Sequence, residues 1–202
     1  MLITAIEAGR NNRYRIFGED KFLFALYGKE LKRYCIEEGT DISDAMILSI
    51  IHEVIYKRAK ERALFLLEKR PLTTVMLRTK LKENDYPLEV IEQVVSFLEN
   101  YHYLDDENYI RMYVNTYGSR KSKRQLIYDL QQKGISRPLL DTYFEENDYS
   151  EQSGFEYQFQ KYIRRREVGD PRERQRIFRY FYSKGFSPAM IESALRDELE
   201  NC

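Results

Sequence analysis

The chain has 202 residues, of which 43% are hydrophobic and 33% charged, a composition typical of a globular protein with much exposed surface. Its 33 lysines and arginines balance 33 aspartates and glutamates, so net charge alone does not indicate a partner such as nucleic acid. Two cysteines and the lack of any run of roughly 20 apolar residues argue against a disulfide-rich or membrane-spanning protein, and we expect a soluble cytoplasmic one.

The first 27 residues differ from the rest of the chain. Three short segments rich in β-branched and aromatic residues are separated by turn-forming residues at 9–12 and 18–20. This pattern predicts a three-stranded antiparallel β-meander, followed by a short helix over about 29–35 that stops before Gly39. A sheet this small needs another element to pack against. We assign these elements to an N-terminal segment, residues 1–42.

From Ser43 onward the apolar residues recur with a helical period of about 3.6 residues. Ser43 or Asp44 is suited to cap the first helix, because a short polar side chain there accepts a hydrogen bond from a free backbone N–H. The helical pattern runs on to Arg70, where Pro71 ends the helix. It allows either one long helix over 43–69 or two helices broken near Lys57.

Three stretches of the chain repeat one pattern: LKENDYPLEVIE at 81–92, LQQKGISRPLLD at 130–141 and FYSKGFSPAMIE at 181–192. Equivalent positions are offset by 49 and then 51 residues. A period near fifty residues indicates tandem structural units. The chain is therefore predicted to be mainly α, an elongated array of three tandem three-helix repeats preceded by the meander. The repeats span 43–101 (with a linker helix), 102–149 and 150–202.

Aligned apolar positions predict the core of each repeat. They fall in the second and third helices of the units: Leu77, Leu126 and Ile177; Val90, Leu139 and Met190; Ile91, Leu140 and Ile191. Gly134 and Gly185 stand where a helix ends and the backbone often turns to positive φ. Asp85 takes that place in the first unit.

No constellation of residues predicts catalysis. The two histidines, His52 and His102, lack neighbouring side chains at the spacing of metal ligands. Residues Asp105 to Glu107 resemble a metal cluster, but acidic residues in the first turn of a helix also favour its dipole and cap it. We therefore expect a protein that is not an enzyme and that uses no metal or cofactor.

Positive charge is concentrated in two segments, each at the end of a repeat's first helix and the start of its second. No acidic residue occurs from Arg111 to Arg124, and from Lys161 to Arg179 eight basic residues stand against three acidic ones. Arginine pairs with phosphate or carboxylate through two parallel hydrogen bonds, so we expect contact with a polyanion or an acidic partner. The alternative is a solvated face with pairs inside each helix. The candidate binding residues are Arg111, Arg120, Lys121, Lys123, Arg124, Lys161, Arg164, Arg165, Arg166, Arg172, Arg176 and Arg179.

Tyr109, Tyr113 and Tyr117 recur every fourth residue on the helix that opens the second repeat. Aromatic side chains can stack on the bases of a single strand. A stripe at this spacing more often belongs to the core, and we interpret these tyrosines as core residues.

The ordered set of motifs in the first two repeats resembles the RecX family. The similarity is carried by YLDDENY at 103–109, YV at 113–114, the basic run at 120–124 and LQQKGI at 130–135. Upstream, residues 63–67, 69–72 and 77–81 are similar to the family's first repeat. With the layout of three units, the resemblance covers about 57–200.

This resemblance implies a bacterial regulator of RecA, the recombinase that coats single-stranded DNA. RecX-like proteins are elongated, helical and non-enzymatic. They lie in the groove of the RecA–DNA filament and suppress its ATPase, strand-exchange and co-protease activities. The implied partners are the RecA filament and the single-stranded DNA within it, in recombination, DNA repair and the SOS response. We expect the chain to act as a monomer.

A second interpretation is a helix-turn-helix-like DNA-binding transcriptional regulator, in which one three-helix unit reads a duplex. Against it, the basic clusters lie at helix junctions, and no helix carries a clear set of base-reading side chains. A third interpretation is a scaffold without any link to nucleic acid. Sequence preference and salt-dependent affinity for single strands distinguish the three.

Overall fold

The computed structural model of the chain describes residues 1–147 and 149–200, except for the side chains of Arg10 and Ser153. It divides into two compact units, Met1–Asp105 and Asp106–Cys202. Each unit has buried apolar clusters of its own. Of the two cysteines, Cys35 is an exposed free thiol, and Cys202 lies outside the described residues.

Strands β1 (Ile3–Ala8), β2 (Arg13–Gly18) and β3 (Lys21–Tyr27) form an antiparallel sheet in sequence order, which confirms the predicted meander. Strands β2 and β3 are joined by Glu19 and Asp20, with φ of 49° and 61°. A two-residue loop with two positive φ values has a twist that matches the twist of the strands. Aspartate tolerates this backbone conformation better than most residues, so the sequence suits the turn.

Four helical segments follow the sheet: α1 (Gly28–Arg33), α2 (Asp44–Ile50), a π-helical turn (Ile51–Tyr56) and α3 (Lys57–Lys69). The Ser43 hydroxyl accepts a hydrogen bond from the Met46 N–H at 3.2 Å, so Ser43 caps α2. The run from α2 to α3 is continuous. What lies next to Lys57 is a change of winding within one helical run, and the helix does not break there.

The sheet packs on the helices of the first unit. Phe24 of β3 and Ile50 of α2 lie in the same buried cluster. The Arg58 guanidinium forms an ion pair with Glu30 of α1 and donates a hydrogen bond to the Ala25 carbonyl oxygen, 3.4 Å away. The first unit therefore provides the packing that so small a sheet needs.

The remaining helices complete three successive triplets, the first of which opens with α3. They are α4 (Thr74–Lys82), α5 (Leu88–Asn100), α6 (Asp106–Tyr117), α7 (Lys123–Gln132), α8 (Arg137–Glu146), α9 (Gln152–Ile163), α10 (Pro171–Ser183) and α11 (Pro188–Glu200). A 3-10 turn (Gly118–Arg120) follows α6. The prediction of a mainly helical chain of three-helix units behind a β-meander is confirmed.

The repeated sequence pattern folds into the same turn three times. Asp85, Gly134 and Gly185 all have positive φ, of 54°, 87° and 89°. The residue after each of them donates its N–H to the carbonyl five residues back, at the end of the preceding helix. This is the Schellman arrangement, in which one left-handed residue lets the chain satisfy the last carbonyls of a helix. The predicted positive φ is confirmed at Gly134 and Gly185, and Asp85, which takes the equivalent place in the first repeat, adopts it as well.

The aligned apolar positions form the cores, with two exceptions. The buried ones are Leu77, Leu126, Ile177, Val90, Ile91, Leu140 and Ile191. Leu139 and Met190 are only half-buried, although they align with the buried Val90. Val90 belongs to a cluster that the sheet and α2 enlarge, whereas the second unit has two smaller clusters. Fewer side chains are available there to cover the equivalent positions.

Candidate functional site

The first basic segment folds into a corner between α6 and α7, which we call the α6–α7 corner (residues 120–124). The 3-10 turn leads to Ser122, whose buried hydroxyl caps α7. Arg120 and Arg124 are exposed on the two sides of this cap, and Arg111 is exposed on α6. Within residues 1–147 and 149–200, these three guanidinium groups form no ion pair. They are available to an external anion.

Lys121, in the same corner, is held inside the unit. Its ammonium forms an ion pair with Asp129 and donates a hydrogen bond to the Tyr113 hydroxyl at 3.0 Å. The Tyr113 hydroxyl in turn donates to Asp129 at 3.1 Å. Burial alone would lower the pKa of Lys121, but the hydrogen bonds to Asp129 and Tyr113 raise it. This cation therefore ties α6 to α7, whereas Arg120 and Arg124 point their charge to solvent.

The tyrosine stripe of α6 runs from the core to the surface. Tyr109 and Tyr113 pack against the cluster of the second triplet, as the sequence predicts, and their rings stack with centroids 6.4 Å apart. The prediction that Tyr117 is a core residue is wrong, because its side chain is exposed at the end of α6, where it contacts the Tyr113 ring at 4.5 Å. The Lys121 ammonium lies 4.8 Å from the centroid of the Tyr117 ring. A cation at this distance from an aromatic ring is attracted to it, so the stripe also positions Lys121.

A cleft of about 470 Å³ opens beside the α6–α7 corner. Its walls are Lys123, Arg124, Ile127, Tyr128, Gln131, Arg137, Glu151, Gly185 and Ser187. The Lys123 ammonium lies 5.2 Å from the centroid of the Phe144 ring, and its backbone N–H donates to a Glu151 carboxylate oxygen at 2.6 Å. Helix α7 thus starts on a carboxylate from the next triplet, an arrangement favoured by the helix dipole.

Two residues of this cleft were missed by reasoning from the sequence. Tyr128 is exposed, and Arg137 forms an exposed ion pair with Asp141, four residues further along α8. Tyr128 has a sequence signal, because it lies off the apolar stripe that buries Leu126 and Leu130. Arg137 has none, because a pair at this spacing looks like ordinary support of one helix.

The second basic segment lines a larger cleft, of about 780 Å³, where α9 ends and α10 begins. We call it the α9–α10 cleft, and its walls are Lys161, Tyr162, Arg164, Arg165, Arg166, Glu167, Asp170, Glu173 and Arg176. Arg172 and Arg179 are exposed on α10 but do not line the cleft. The structure therefore collects five of the predicted binding residues around one opening.

Glu173 connects two arginines of this cleft. Arg166 and Arg176 both donate to its carboxylate, Arg176 at 3.1 Å. Hydrogen bonding from Arg166 holds the pKa of Glu173 below its ordinary value. The Arg166 guanidinium also lies 4.2 Å from the centroid of the Tyr162 ring, which is stacked on Tyr180 at 4.0 Å.

The second and third triplets meet at the α6–α7 corner. The Ser122 hydroxyl donates to the Lys184 carbonyl oxygen at 2.6 Å, just before the turn at Gly185. The Tyr149 hydroxyl donates to the Gly118 carbonyl oxygen at 3.1 Å. The twelve predicted binding residues thus belong to one compact unit, but the two clefts have no wall residue in common among the residues described.

Within residues 1–147 and 149–200, no group of three histidine, cysteine, aspartate or glutamate side chains is placed to hold a metal ion. Asp106 and Glu107 lie in the first turn of α6, where their charge favours the helix dipole. In the same described part of the chain, no helix is both long and apolar enough to cross a membrane.

Two models of the RecX family match the chain. The model of the first three-helix domain matches residues 59–98, which run from α3 to α5, and the model of the second matches residues 105–142, which run from α6 into α8. The resemblance to the RecX family is confirmed. The α6–α7 corner lies within the second RecX domain, and the α9–α10 cleft follows it in the third triplet.

Similarity to RecX proteins extends over nearly the whole chain. Regulatory protein RecX of Caldanaerobacter subterraneus subsp. tengcongensis is 29% identical over 197 residues, 96% of this chain and 98% of that protein. Regulatory protein RecX of Clostridium acetobutylicum is 26% identical over 203 residues, 96% of this chain and 95% of that protein. The third triplet, which neither RecX domain model reaches, is therefore part of the RecX similarity.

Solved structures show the same fold. A crystal structure of regulatory protein RecX superposes with a TM-score of 0.65 at 26% identity, covering 98% of this chain and 100% of that one. A crystal structure of RecX from Lactobacillus salivarius gives a TM-score of 0.64 at 21% identity, covering 73% of this chain and 97% of that one. The second likeness is one of fold alone.

Proposed function

We propose that this chain is a non-enzymatic regulator that binds the RecA–single-stranded-DNA filament and mainly inhibits its ATPase, strand-exchange and co-protease activities. The observation that carries the proposal is the grouping of exposed arginines at the α6–α7 corner and the α9–α10 cleft of a chain that resembles the RecX family. Both groups belong to one compact unit, so one polyanionic polymer can be contacted at two places. The proposed acting form is a cytoplasmic monomer.

A filament suits such a surface because it offers the same contacts repeatedly. Once one corner is bound, the next contact forms at a high effective concentration, so each contact can be modest. Exposed arginines that form no internal pair are suited to phosphate or carboxylate groups on that filament. If five phosphates of a single strand are contacted, log K falls against log salt with a slope of roughly −3.5.

The test is a titration of the chain into RecA from the same organism on single-stranded DNA, with ATP hydrolysis as the readout. We expect inhibition at fewer than one copy per RecA subunit. Co-sedimentation with the filament is the control, since it separates weak binding from binding without inhibition. The absence of both inhibition and filament binding at every ratio would contradict the proposal.

A second experiment with the same protein tests the alternative of a transcriptional regulator. Such a protein prefers its operator over random duplex by more than about 10³-fold. We expect no such preference from a filament-binding protein, because exposed arginines at helix junctions contact the phosphate backbone and do not read bases. A selection from random duplex that recovers one strongly preferred sequence would favour the transcriptional regulator.

A further inference from the structure

One carboxylate in the walls of the α9–α10 cleft is paired with two arginines. Glu173 lies between Arg166 and Arg176 and accepts a hydrogen bond from each. A phosphate bridging two guanidinium groups would accept the same hydrogen bonds, because carboxylate and phosphate both offer two oxygens to arginine. We propose that this cleft binds a backbone phosphate of single-stranded DNA by exchange, with Glu173 holding the phosphate position until DNA displaces it. The inference rests on the proposed function, because it takes the DNA of the filament as the ligand.

The exposure of the three side chains permits such an exchange. The Glu173 side chain is 14% exposed, whereas Arg166 is 37% and Arg176 is 74% exposed. The carboxylate thus lies beneath the guanidinium groups, which face the solvent. A phosphate can reach both arginines from outside without moving the helices. Arg176 is held to Glu173 at 3.1 Å across an exposed surface, and pairs of this kind contribute little free energy.

The walls of the cleft favour a phosphate backbone over an acidic protein. Strong protein–protein contacts centre on buried aromatic or aliphatic anchors, and Tyr162 is the single aromatic side chain in these walls among the residues described. Its ring is already covered by Tyr180 and by the Arg166 guanidinium. The same cover leaves it unavailable to a base. The other exposed charges of the walls are mainly basic, with Lys161, Arg164 and Arg165 against Glu167 and Asp170, and this excess suits a ligand with one negative charge per unit of its backbone.

Glu173 is distinct from the other acidic side chains beside it. The Asp170 carboxylate caps α10 by accepting the Arg172 N–H at 3.0 Å, so it is committed to the helix. Glu173 alone among these carboxylates is bonded to two arginines of the cleft within residues 1–147 and 149–200. Loss of its charge leaves both arginines unpaired and able to contact one phosphate more tightly.

The test compares Glu173→Gln with the full-length wild-type chain. Binding to a fluorescent oligothymidine is measured by anisotropy between 50 and 200 mM salt, two concentrations chosen to resolve the slope. Glutamine preserves the shape of glutamate but lacks its charge. We expect the variant to bind about three- to tenfold more tightly at the lower salt, with a slope of log K steeper by about 0.7, the value for one phosphate. Circular dichroism verifies that the variant is folded.

Glu192→Gln is the matched control, because it makes the same change of net charge at an exposed glutamate of α11, outside the walls of the cleft. It is expected to change affinity by less than about twofold. Unchanged or weaker binding by Glu173→Gln, or an equal gain from Glu192→Gln, would overturn the inference. So would stronger ATPase inhibition by Glu173→Gln without a gain in DNA affinity, since the cleft would then contact protein.

Failure of the proposed function has a different signature. If the wild-type chain does not affect the RecA filament but Glu173→Gln still gains affinity for oligothymidine, the cleft is a DNA site in a protein of another role. Arg176→Gln gives an independent check on the same cleft. It removes one exposed partner of the exchanged phosphate and is expected to weaken oligothymidine binding several-fold; unchanged binding would count against the inference.

Discussion

Ser122 serves two elements with one hydroxyl group. Its oxygen accepts the Gln125 N–H at 3.2 Å, which caps α7, and its proton goes to the Lys184 carbonyl oxygen at 2.6 Å. The first bond starts a helix of the second triplet, and the second holds the end of a helix of the third. Because Ser122 is buried, water cannot replace either bond without opening the joint.

Replacement of Ser122 by alanine tests this double role. We expect Ser122→Ala to lower the free energy of unfolding by about 2 kcal/mol, the sum of a lost helix cap and an unsatisfied, partly buried carbonyl of Lys184. Ser43→Ala is the control, since Ser43 is an exposed cap whose loss should cost about 1 kcal/mol. Urea denaturation measures both. Equal losses would show that the bond to Lys184 contributes nothing.

Gly185 is fixed by both its backbone and its neighbours. Its φ is +89°, and a Cβ atom there would lie 2.9 Å from the Ser122 hydroxyl oxygen and 3.0 Å from the Arg124 Cβ. Gly39 has a similar φ of +81°, but a Cβ would meet nothing within 4 Å. The two glycines therefore separate backbone strain from steric contact.

We expect Gly39→Ala to cost about 1 kcal/mol of stability through backbone strain alone. Gly185→Ala should cost about 2–4 kcal/mol, because overpacking at the joint adds to the strain. Urea denaturation of the two variants gives the comparison. Losses of the same size would mean that the second and third triplets can separate slightly without penalty.

At the scale of elements, Lys121 joins α6 to α7 through Tyr113 and Asp129. Lys121→Glu would place a second carboxylate beside Asp129 and remove the ammonium that donates to the Tyr113 hydroxyl. We therefore expect the free energy of unfolding to fall by about 1–3 kcal/mol. Arg120→Glu changes an exposed side chain of the adjacent turn and should stay within about 0.5 kcal/mol. Thermal unfolding measures both, and a similar change in the two variants would contradict the role of Lys121.

The elements differ in how far the sequence determines them. The turns at Gly134 and Gly185 are local, so their spacing and residue type were enough to predict the positive φ. The repeat placed Asp85 at the same turn, but its residue type did not predict its φ. The packing of the meander on α2 and α3 is not local, and no pattern in the first 42 residues specifies it. The π-helical turn (Ile51–Tyr56) is likewise missed, because its residues read as an ordinary helix.

The site shows the same division. A count of charges along the chain identified both basic segments, since clustering in sequence places arginines near one another at a helix junction. It could not distinguish Lys121, whose partner Asp129 lies eight residues away across the corner, from the exposed Arg124. Nor could it place Arg137 in a cleft with Arg124, because their position in one cleft depends on how α7 and α8 pack.

At the scale of the whole molecule, the α6–α7 corner and the α9–α10 cleft are two basic surfaces within one unit. If both contact the same filament, loss of one also lowers the effective concentration at which the other forms its contact. Arg120→Glu with Arg124→Glu reverses the charge of the corner, and Arg164→Glu with Arg165→Glu reverses charge in the cleft. Each pair of substitutions should weaken RecA ATPase inhibition several-fold. The variant with all four substitutions should weaken it by at least the product of the two separate fold-changes.

The control for this last prediction reverses two exposed lysines of the other unit, Lys29→Glu with Lys32→Glu in α1, which matches the change of net charge. The inhibition midpoint should move by less than about twofold, because α1 lies outside the unit that carries both basic surfaces. If the control weakens inhibition as much as either pair, long-range charge and not local contact explains the effect. If the variant with all four substitutions inhibits as one of the two double variants does, only the surface changed in that double variant contacts the filament.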